Sequence, residues 1–239
     1  MVRGAATRHF RLPPSLRLWP GRLLRGTATA ALAVVVFWTG TILALRWQDP
    51  PTSALMLLRR LEGHAIDHRP VPLSEVAPVL RFAVVAAEDN RFCSHAGFDW
   101  QALKEQIARW REGRRPRGAS TLSQQTVKNL FLWPGRDPLR KLLEIPLTAM
   151  IELAWPKRRI LEIYLQIVEF GPGIFGAEAA ARRYYGRSAR QLSPRQAASL
   201  AAILPSPLTR RPSDRAVQNR ATLIERRIGQ LGPLLDCVR

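Results

Sequence analysis

The sequence predicts an all-α protein: a helical body behind one apolar helix long enough to cross a membrane. Three observations carry this. After residue 73, apolar side chains recur at the i, i+3, i+4, i+7 spacing of amphipathic helices almost to the end of the chain. No stretch alternates with the period of two that a half-buried strand requires. Near the start, residues 26–45 (GTATAALAVVVFWTGTILAL) run without a charge between Arg25 and Arg46.

About 20 helical residues rise ~30 Å, the thickness of a bilayer's hydrocarbon layer. A cleaved signal peptide has an apolar region of only ~7–15 residues followed by a small-residue cleavage site, whereas this run ends in Leu45-Arg46-Trp47. A buried helix of a soluble protein is the plain alternative, but such a helix seldom lacks polar residues all round. Arg3, Arg8, Arg11, Arg17, Arg22 and Arg25 precede the span without any acid. By the positive-inside rule they hold the N-terminus in the cytoplasm and send everything beyond about residue 47 outside it. The expected organisation is a cytoplasmic basic tail (1–25), a transmembrane helix (26–46), a linker and approach segment rich in proline and mixed charge (47–72), and a folded domain (73–239).

Within that domain Val76, Val79, Leu80, Ala83, Val84 and Ala87 form the stripe of a first helix that ends at Glu88. Asp99 caps a second, with Trp100, Leu103, Ile107 and Trp110 expected inward, and the basic loop REGRRPRG (111–118) follows it. A third spans about 120–132. Asp137-Pro138 has the N-cap and N1 chemistry of a fourth that reaches Trp155. Pro156 permits a fifth, striped by Ile160, Leu161, Tyr164, Leu165 and Val168 and stopped by Gly171-Pro172-Gly173. Segments 176–185, 193–204 and 213–231 complete the set.

The composition narrows the function. A net charge of +19 with 46% hydrophobic residues excludes a disordered polycation, which needs low hydrophobicity as well as high charge. The positive balance points to a polyanion: nucleic acid, an anionic membrane surface or a phosphorylated substrate. Seven arginines up to Arg46 supply +7 of it, leaving +12 for the rest. With that larger part across the membrane, nucleic acid is the wrong partner. Cys93 and Cys237 make no framework; Cys93 beside Phe92 reads as a small apolar residue, and no disulfide is expected.

Four segments combine acids, bases and small residues. In AAEDNRFCSHAGFD, Glu88 and Asp89 leave an apolar helix, and a carboxylate at such an edge is partly desolvated, which raises its pKa and suits a general base. The plain alternative is a solvated helix-end pair; His95 is read as structural. In GASTLSQQTVKN (118–129), small and hydroxyl residues followed by amides and a lysine suit either an anion at a helix N-terminus or simply a capped helix with a polar face. In RDPLRKLLEI, Arg140 and Glu144 share a helix face, so a local ion pair competes with a functional reading. The helix KRRILEIYLQIVEFGPG reads as packing. No His or Cys spacing suits a metal.

The order of these segments is specific. Glu88-Asp89-x-x-Phe92-x-x-His95-x-Gly97, then Gly118-Ala119-Ser120-Thr121-Leu122-Ser123-Gln124-Gln125-x-x-Lys128-Asn129, then Arg140-Lys141-x-x-Glu144, then Ile160-Leu161-Glu162-x-Tyr164-Leu165 closely resemble the successive motifs of the peptidoglycan glycosyltransferases. The stretches 179–186 (AAARRYYG) and 197–205 resemble that family's last motif. The match covers roughly residues 70–208. Gln166 and Gln196 depart from the family's usual Asn and Glu.

The resemblance implies a lysozyme-like, mainly helical glycosyltransferase domain that polymerises lipid II with inversion and releases undecaprenyl diphosphate. The absence of a second domain after Arg239 suggests a monofunctional transglycosylase without transpeptidase activity. Glu88 would be the general base and Glu144 the second catalytic glutamate. Lys128, Arg136 and Arg140 would hold the diphosphate, with Ser120, Thr121, Gln124 and Gln125 lining the donor side and Asp89 beside them. A divalent cation (Mg or Mn) assists some members; none is expected to be tightly bound. Expected partners are lipid II, the nascent glycan chain, membrane lipids and other cell-wall synthesis or division proteins, at a bacterial inner membrane with the domain periplasmic. Arg114, Arg115 and Arg117 would reach interfacial phosphate. A hydrolase of the same fold would also use a glutamate but has no diphosphate to hold. A membrane scaffold would tolerate loss of Glu88.

Overall fold

The computed structural model describes residues 19–114, 118, 120–135 and 137–239. The chain divides into two compact units, Met1–Thr41 and Ile42–Arg239. Helix α1 (Trp19–Ala44) contains the apolar run, Arg25–Ala44, and crosses the boundary between them. In the first unit Leu32, Val34, Val35, Val36 and Phe37 are exposed. Thr29, Thr39 and Thr41 each donate to the carbonyl four residues back, at 2.9, 2.8 and 2.9 Å. A hydroxyl turned onto its own helix leaves no free donor, so these side chains are compatible with hydrocarbon.

The second unit opens with a clasp. Trp155 Nε1 donates to Ile42 O at 2.7 Å, and the buried Arg159 guanidinium donates to Leu45 O (3.0 Å) and Gln48 O (2.5 Å) while pairing with Asp49 (2.9 Å) and Glu162 (2.6 Å). Glu162 also accepts from Leu73 N at 2.7 Å. This motif glutamate holds the chain's approach to the body, in keeping with a packing helix.

The stretch 47–72, expected as a linker, is part of the body. Ser53 caps α2 (Ala54–Leu61), whose Leu55 and Met56 are buried. Arg59 pairs with the buried Glu169 at 3.1 Å. Asp67–His68 (β1) then pairs in parallel with Ile174–Phe175 (β3), which is antiparallel to Glu169–Gly171 (β2), giving sheet order β1-β3-β2. Strands of two or three residues are too short to show a period of two, so the sequence pattern passes over them.

The remaining helices follow the expected order: α3 (Pro78–Glu88), α4 (Trp100–Arg111), α5 (Leu122–Phe131), α6 (Pro138–Ala154), α7 (Lys157–Ile167), α8 (Ala177–Tyr185), α9 (Pro194–Ile203) and α10 (Arg215–Leu231). The fold class is all-α, as expected. Helix α7 is the axis of the core, with Ile160, Leu161, Ile163, Tyr164 and Ile167 without exposure. Helix α5 packs between α6 and α7, while α3, α9 and α10 pack on one another. Ser193 and Gln196 form a reciprocal capping box on α9. Glutamine serves there as well as glutamate, so the departure at Gln196 changes nothing structurally. Gln166 donates to Val71 O at 3.1 Å and so ties α7 to the segment before α3.

Two further expectations are overturned. Trp100, Leu103, Ile107 and Trp110, expected inward, are 64, 42, 41 and 68% exposed, and α4 buries no residue. Periodicity shows which side chains share a face, not what that face meets. Cys93 and Cys237 form a disulfide across 144 positions. The 3-10 segment Gly232–Val238 folds back onto the 3-10 turn Phe92–Ser94, with Leu235 and Val238 buried, and this return brings the two cysteines together.

Candidate active site

Glu88 is the last residue of α3, an apolar helix whose Val84, Val85 and Ala86 are buried. Its side chain is 11% exposed at the edge of a cleft of about 630 Å³, lined in part by Asn90, Gln125, Pro205, Arg220 and Arg227. Gln125 Nε2 donates to Glu88 Oε2 at 3.1 Å. Oε1 is buried without a hydrogen-bond partner among the described residues, 3.7 Å from the Arg220 guanidinium. Burial pushes the Glu88 carboxyl above its ordinary value; the Gln125 hydrogen bond and the charges of Arg220 and Lys128 offset that only in part.

The amide of Gln125 is itself oriented. Tyr164 Oη, at the core of α7, donates to Gln125 Oε1 at 3.2 Å. Burial holds the Tyr164 phenol well above its usual pKa, so it stays a hydroxyl donor. A donor on the oxygen leaves the amide nitrogen to face Glu88.

Asp89, next in the chain, is committed elsewhere. It is buried, contacts His95 Nε2 at 3.0 and 3.1 Å, and accepts from Leu122 N at 2.9 Å. It therefore sits at the N-terminus of α5, where a carboxylate is favoured by the exposed N–H groups. Thr121 and Gln124 form a capping box on the same helix, and Thr121 Oγ1 also donates to Gly97 O at 2.6 Å. Gly97 has φ +84°, and a Cβ there would lie 2.9 Å from Thr148 Cγ2 on α6, so the motif requires glycine. Asp89, Thr121 and Gln124 thus build the α5 N-terminus; Asp89 also lines the Glu88 cleft, with its carboxylate already bonded to His95 and Leu122 N. Ser120 lines that cleft and also, with Gln124, Lys141 and Ile145, an apolar pocket of about 340 Å³ under Phe98, Trp100 and Leu103.

Glu144 lies on α6, 2% exposed, and is paired with both Arg140 and Lys141. Arg140 also donates to Gly135 O at 3.2 Å. Lys128, one turn beyond Gln125 on α5, lies within the field of Arg140, Glu144 and Glu88; burial first, then Arg140, lowers its pKa. Lys128 and Gln125 also line a second cavity of about 190 Å³ beyond Pro205. Arg136 lies outside the described residues, as do Arg115 and Arg117; Arg114 pairs with Glu112. The structure therefore gathers Glu88, Gln125, Lys128, Arg140 and Glu144 into one electrostatic neighbourhood.

Two groups escaped the sequence reading. Arg220 and Arg227, seven apart on α10, line the cleft, and Arg227 donates to Ala86 O at 3.0 Å. Their i, i+7 spacing on an amphipathic helix was the available signal. The Tyr164–Gln125 link joins residues 39 apart and had none. No group of three His, Cys, Asp or Glu able to hold a metal occurs among the described residues. Asp89 is bound to His95 and Glu144 to two cations, so neither of these carboxylates is free to hold a divalent ion.

Comparison with known proteins gives this arrangement its context. The family model Transglycosylase matches residues 56–228. The biosynthetic peptidoglycan transglycosylase of Rhodospirillum centenum is 49% identical over 210 residues, 87% of this chain and 91% of that protein. Those of Caulobacter vibrioides (49% over 190 residues, 78% and 82%) and Aeromonas hydrophila (47% over 219 residues, 89% and 93%) are similarly related. Since the family match spans most of the helical body and near-half identity extends across it, the chain belongs to the transglycosylase family, with a lysozyme-like domain and peptidoglycan glycosyltransferase activity.

Proposed function

We propose that the enzyme polymerises lipid II with Glu88 as general base. The acceptor's 4-hydroxyl oxygen attacks the donor's anomeric carbon, its proton passes to Glu88, and the anomeric C–O bond breaks with its electron pair leaving on undecaprenyl diphosphate. Attack opposite the leaving group inverts the anomeric centre. The observation that carries this is the buried Glu88 Oε1, without a hydrogen-bond partner among the described residues and beside an open cleft, on a carboxyl whose raised pKa makes it a stronger base.

Lys128, Arg140 and Lys141 suit the developing diphosphate charge, because cations already fixed in place need no reorganisation when charge develops. Glu144, bonded to Arg140 and Lys141, positions those cations rather than taking a proton. Asp89, Thr121 and Gln124 support the site through the α5 cap, and Arg136 is assigned to the same basic group on the motif alone. No step runs through a divalent cation.

We place the body on the periplasmic side of the inner membrane, anchored by α1 with its N-terminus in the cytoplasm. The apolar Arg25–Ala44 run, the preceding arginines and the disulfide, a bond kept in oxidising compartments, support this reading. The exposed Trp100, Leu103, Ile107 and Trp110 suit the headgroup level, where amphipathic aromatic side chains settle. A direct test is incubation with labelled lipid II. Long products cut by a muramidase specific for β-linkages, with one undecaprenyl diphosphate released per bond, support the reading; resistant products would contradict the inversion.

A further inference from the structure

A second groove, of about 780 Å³ against about 630 Å³ for the Glu88 cleft, is lined by Arg183, Tyr184, Tyr185, Arg210, Arg211 and Gln218, among others, with no acidic residue among the described residues of its wall. That volume is in the range of specific small-molecule sites. It also joins the chemistry. The Glu88 cleft and the cavity beyond it share Gln125 and Pro205, and that cavity shares Pro207 and Leu208 with the groove. The three cavities therefore adjoin in series, from Glu88 past Gln125 to the arginines.

The groove is built. Tyr184 Oη donates to Phe170 O at 3.0 Å and packs so closely on Gly171 that a Cβ there would lie 2.4 Å from the hydroxyl. Gln218 Nε2, also on the wall, donates to Ser199 Oγ at 3.1 Å. The Phe170 bond and the close packing on Gly171 fix the Tyr184 ring. The neighbouring arginines divide into two classes. Arg182 pairs with Glu178 at 2.8 Å and Arg195 with Glu225 at 3.0 Å. The Arg183 and Arg211 side chains have no carboxylate partner among the described residues; Asp214 accepts from the Arg211 backbone N–H instead. Both residues line the groove together with Tyr184.

Guanidinium groups without partners bind carboxylates through charge-assisted, often bidentate bonds, and aromatic faces pack against sugar rings. Resting on the lipid II reading above, we propose that this groove holds the already polymerised part of the donor strand, with Arg183 and Arg211 binding the free carboxylates of its peptide stems. The ligand class is an anionic glycopeptide, and the groove keeps the strand attached between additions.

The test uses the full chain in detergent and fluorescent, soluble, uncross-linked glycan strands, either carrying their peptides or stripped of them by an amidase. Wild type binds peptide-bearing strands about tenfold or more tightly than stripped ones, and an Arg183→Ala/Arg211→Ala variant, with unchanged thermal unfolding, loses that difference. Equal affinity of wild type and variant for peptide-bearing strands overturns the proposal. So does a variant that loses binding only to phosphatidylglycerol vesicles, which would make the groove a lipid headgroup site. Because binding is read without turnover, an active Glu88→Gln variant would sink the base assignment and leave this result standing.

Discussion

Gln125 donates to Glu88 Oε2 at 3.1 Å while its own carbonyl accepts from Tyr164 Oη at 3.2 Å. A core tyrosine thereby fixes an amide that stabilises the charged form of a buried carboxylate. Desolvation raises the Glu88 pKa and this hydrogen bond opposes the rise. A base works only when deprotonated, so the acidic limb of kcat/KM against pH lies above the ordinary carboxylate range. Gln125→Ala removes the opposing bond and moves the limb to higher pH. Tyr164→Phe, which frees the amide to turn, moves it the same way by less. Limbs that stay in place in both variants would show that the amide does not tune the base.

The same shift has a stability consequence. A carboxyl whose folded pKa is raised binds its proton more tightly in the folded state. Its charge therefore costs stability as pH rises from the unfolded value through the folded one. Glu88→Gln removes a desolvated charge, so the variant unfolds at a higher temperature than wild type at neutral pH. The gain disappears as pH falls below the ordinary carboxylate value. Thermal unfolding across pH measures it, and a variant less stable at neutral pH would contradict the sign.

The Cys93–Cys237 bond closes a loop of 144 positions and ties the C-terminus to the turn just after Glu88 and Asp89. Cross-links of long loops contribute about 2–5 kcal/mol. For a body of this size, Cys237→Ser is expected to lower the melting temperature by roughly 5–20 °C. Calorimetry of the variant, and of wild type with and without reductant, checks this. An unchanged transition would mean that the C-terminal segment is held by packing alone.

The exposed face of α4 predicts contact with lipid. In proteoliposomes, lipids brominated near the headgroup quench Trp100 and Trp110, and a Trp100→Ser/Trp110→Ser variant loses that quenching. The double substitution also raises the KM for bilayer-presented lipid II, because it removes apolar ring surface that leaves water at the interface. Quenching undiminished from wild type, with Trp38 of the membrane segment and Trp47 just beyond it still responding in both proteins, would place Trp100 and Trp110 away from the interface.

The helices were legible where local chemistry defines them: the Asp137-Pro138 start of α6, the Ser193 cap of α9 and the stripe of α7 all stand where the pattern puts them. What a face meets was not legible, because Trp100 and Ile160 obey the same periodicity yet one is exposed and the other buried. Proximity of distant residues was hidden for the same reason: the Cys93–Cys237 bond and the Arg220 contact with Glu88 depend on how α10 and the C-terminus return to α3. Motif residues were found as a set, but only the structure separates Glu88, whose Oε1 has no hydrogen-bond partner among the described residues, from Asp89 and Thr121, whose side chains are spent on the N-terminus of α5.

The central claim is that Glu88 takes the acceptor's proton. Polymerisation of labelled lipid II by the purified full chain, comparing wild type with Glu88→Gln at matched folded concentration, tests it most directly. Glycan strands from wild type and a rate about 10²–10⁴-fold lower from the variant are the predicted result. Strands made by Glu88→Gln at the wild-type rate would contradict it.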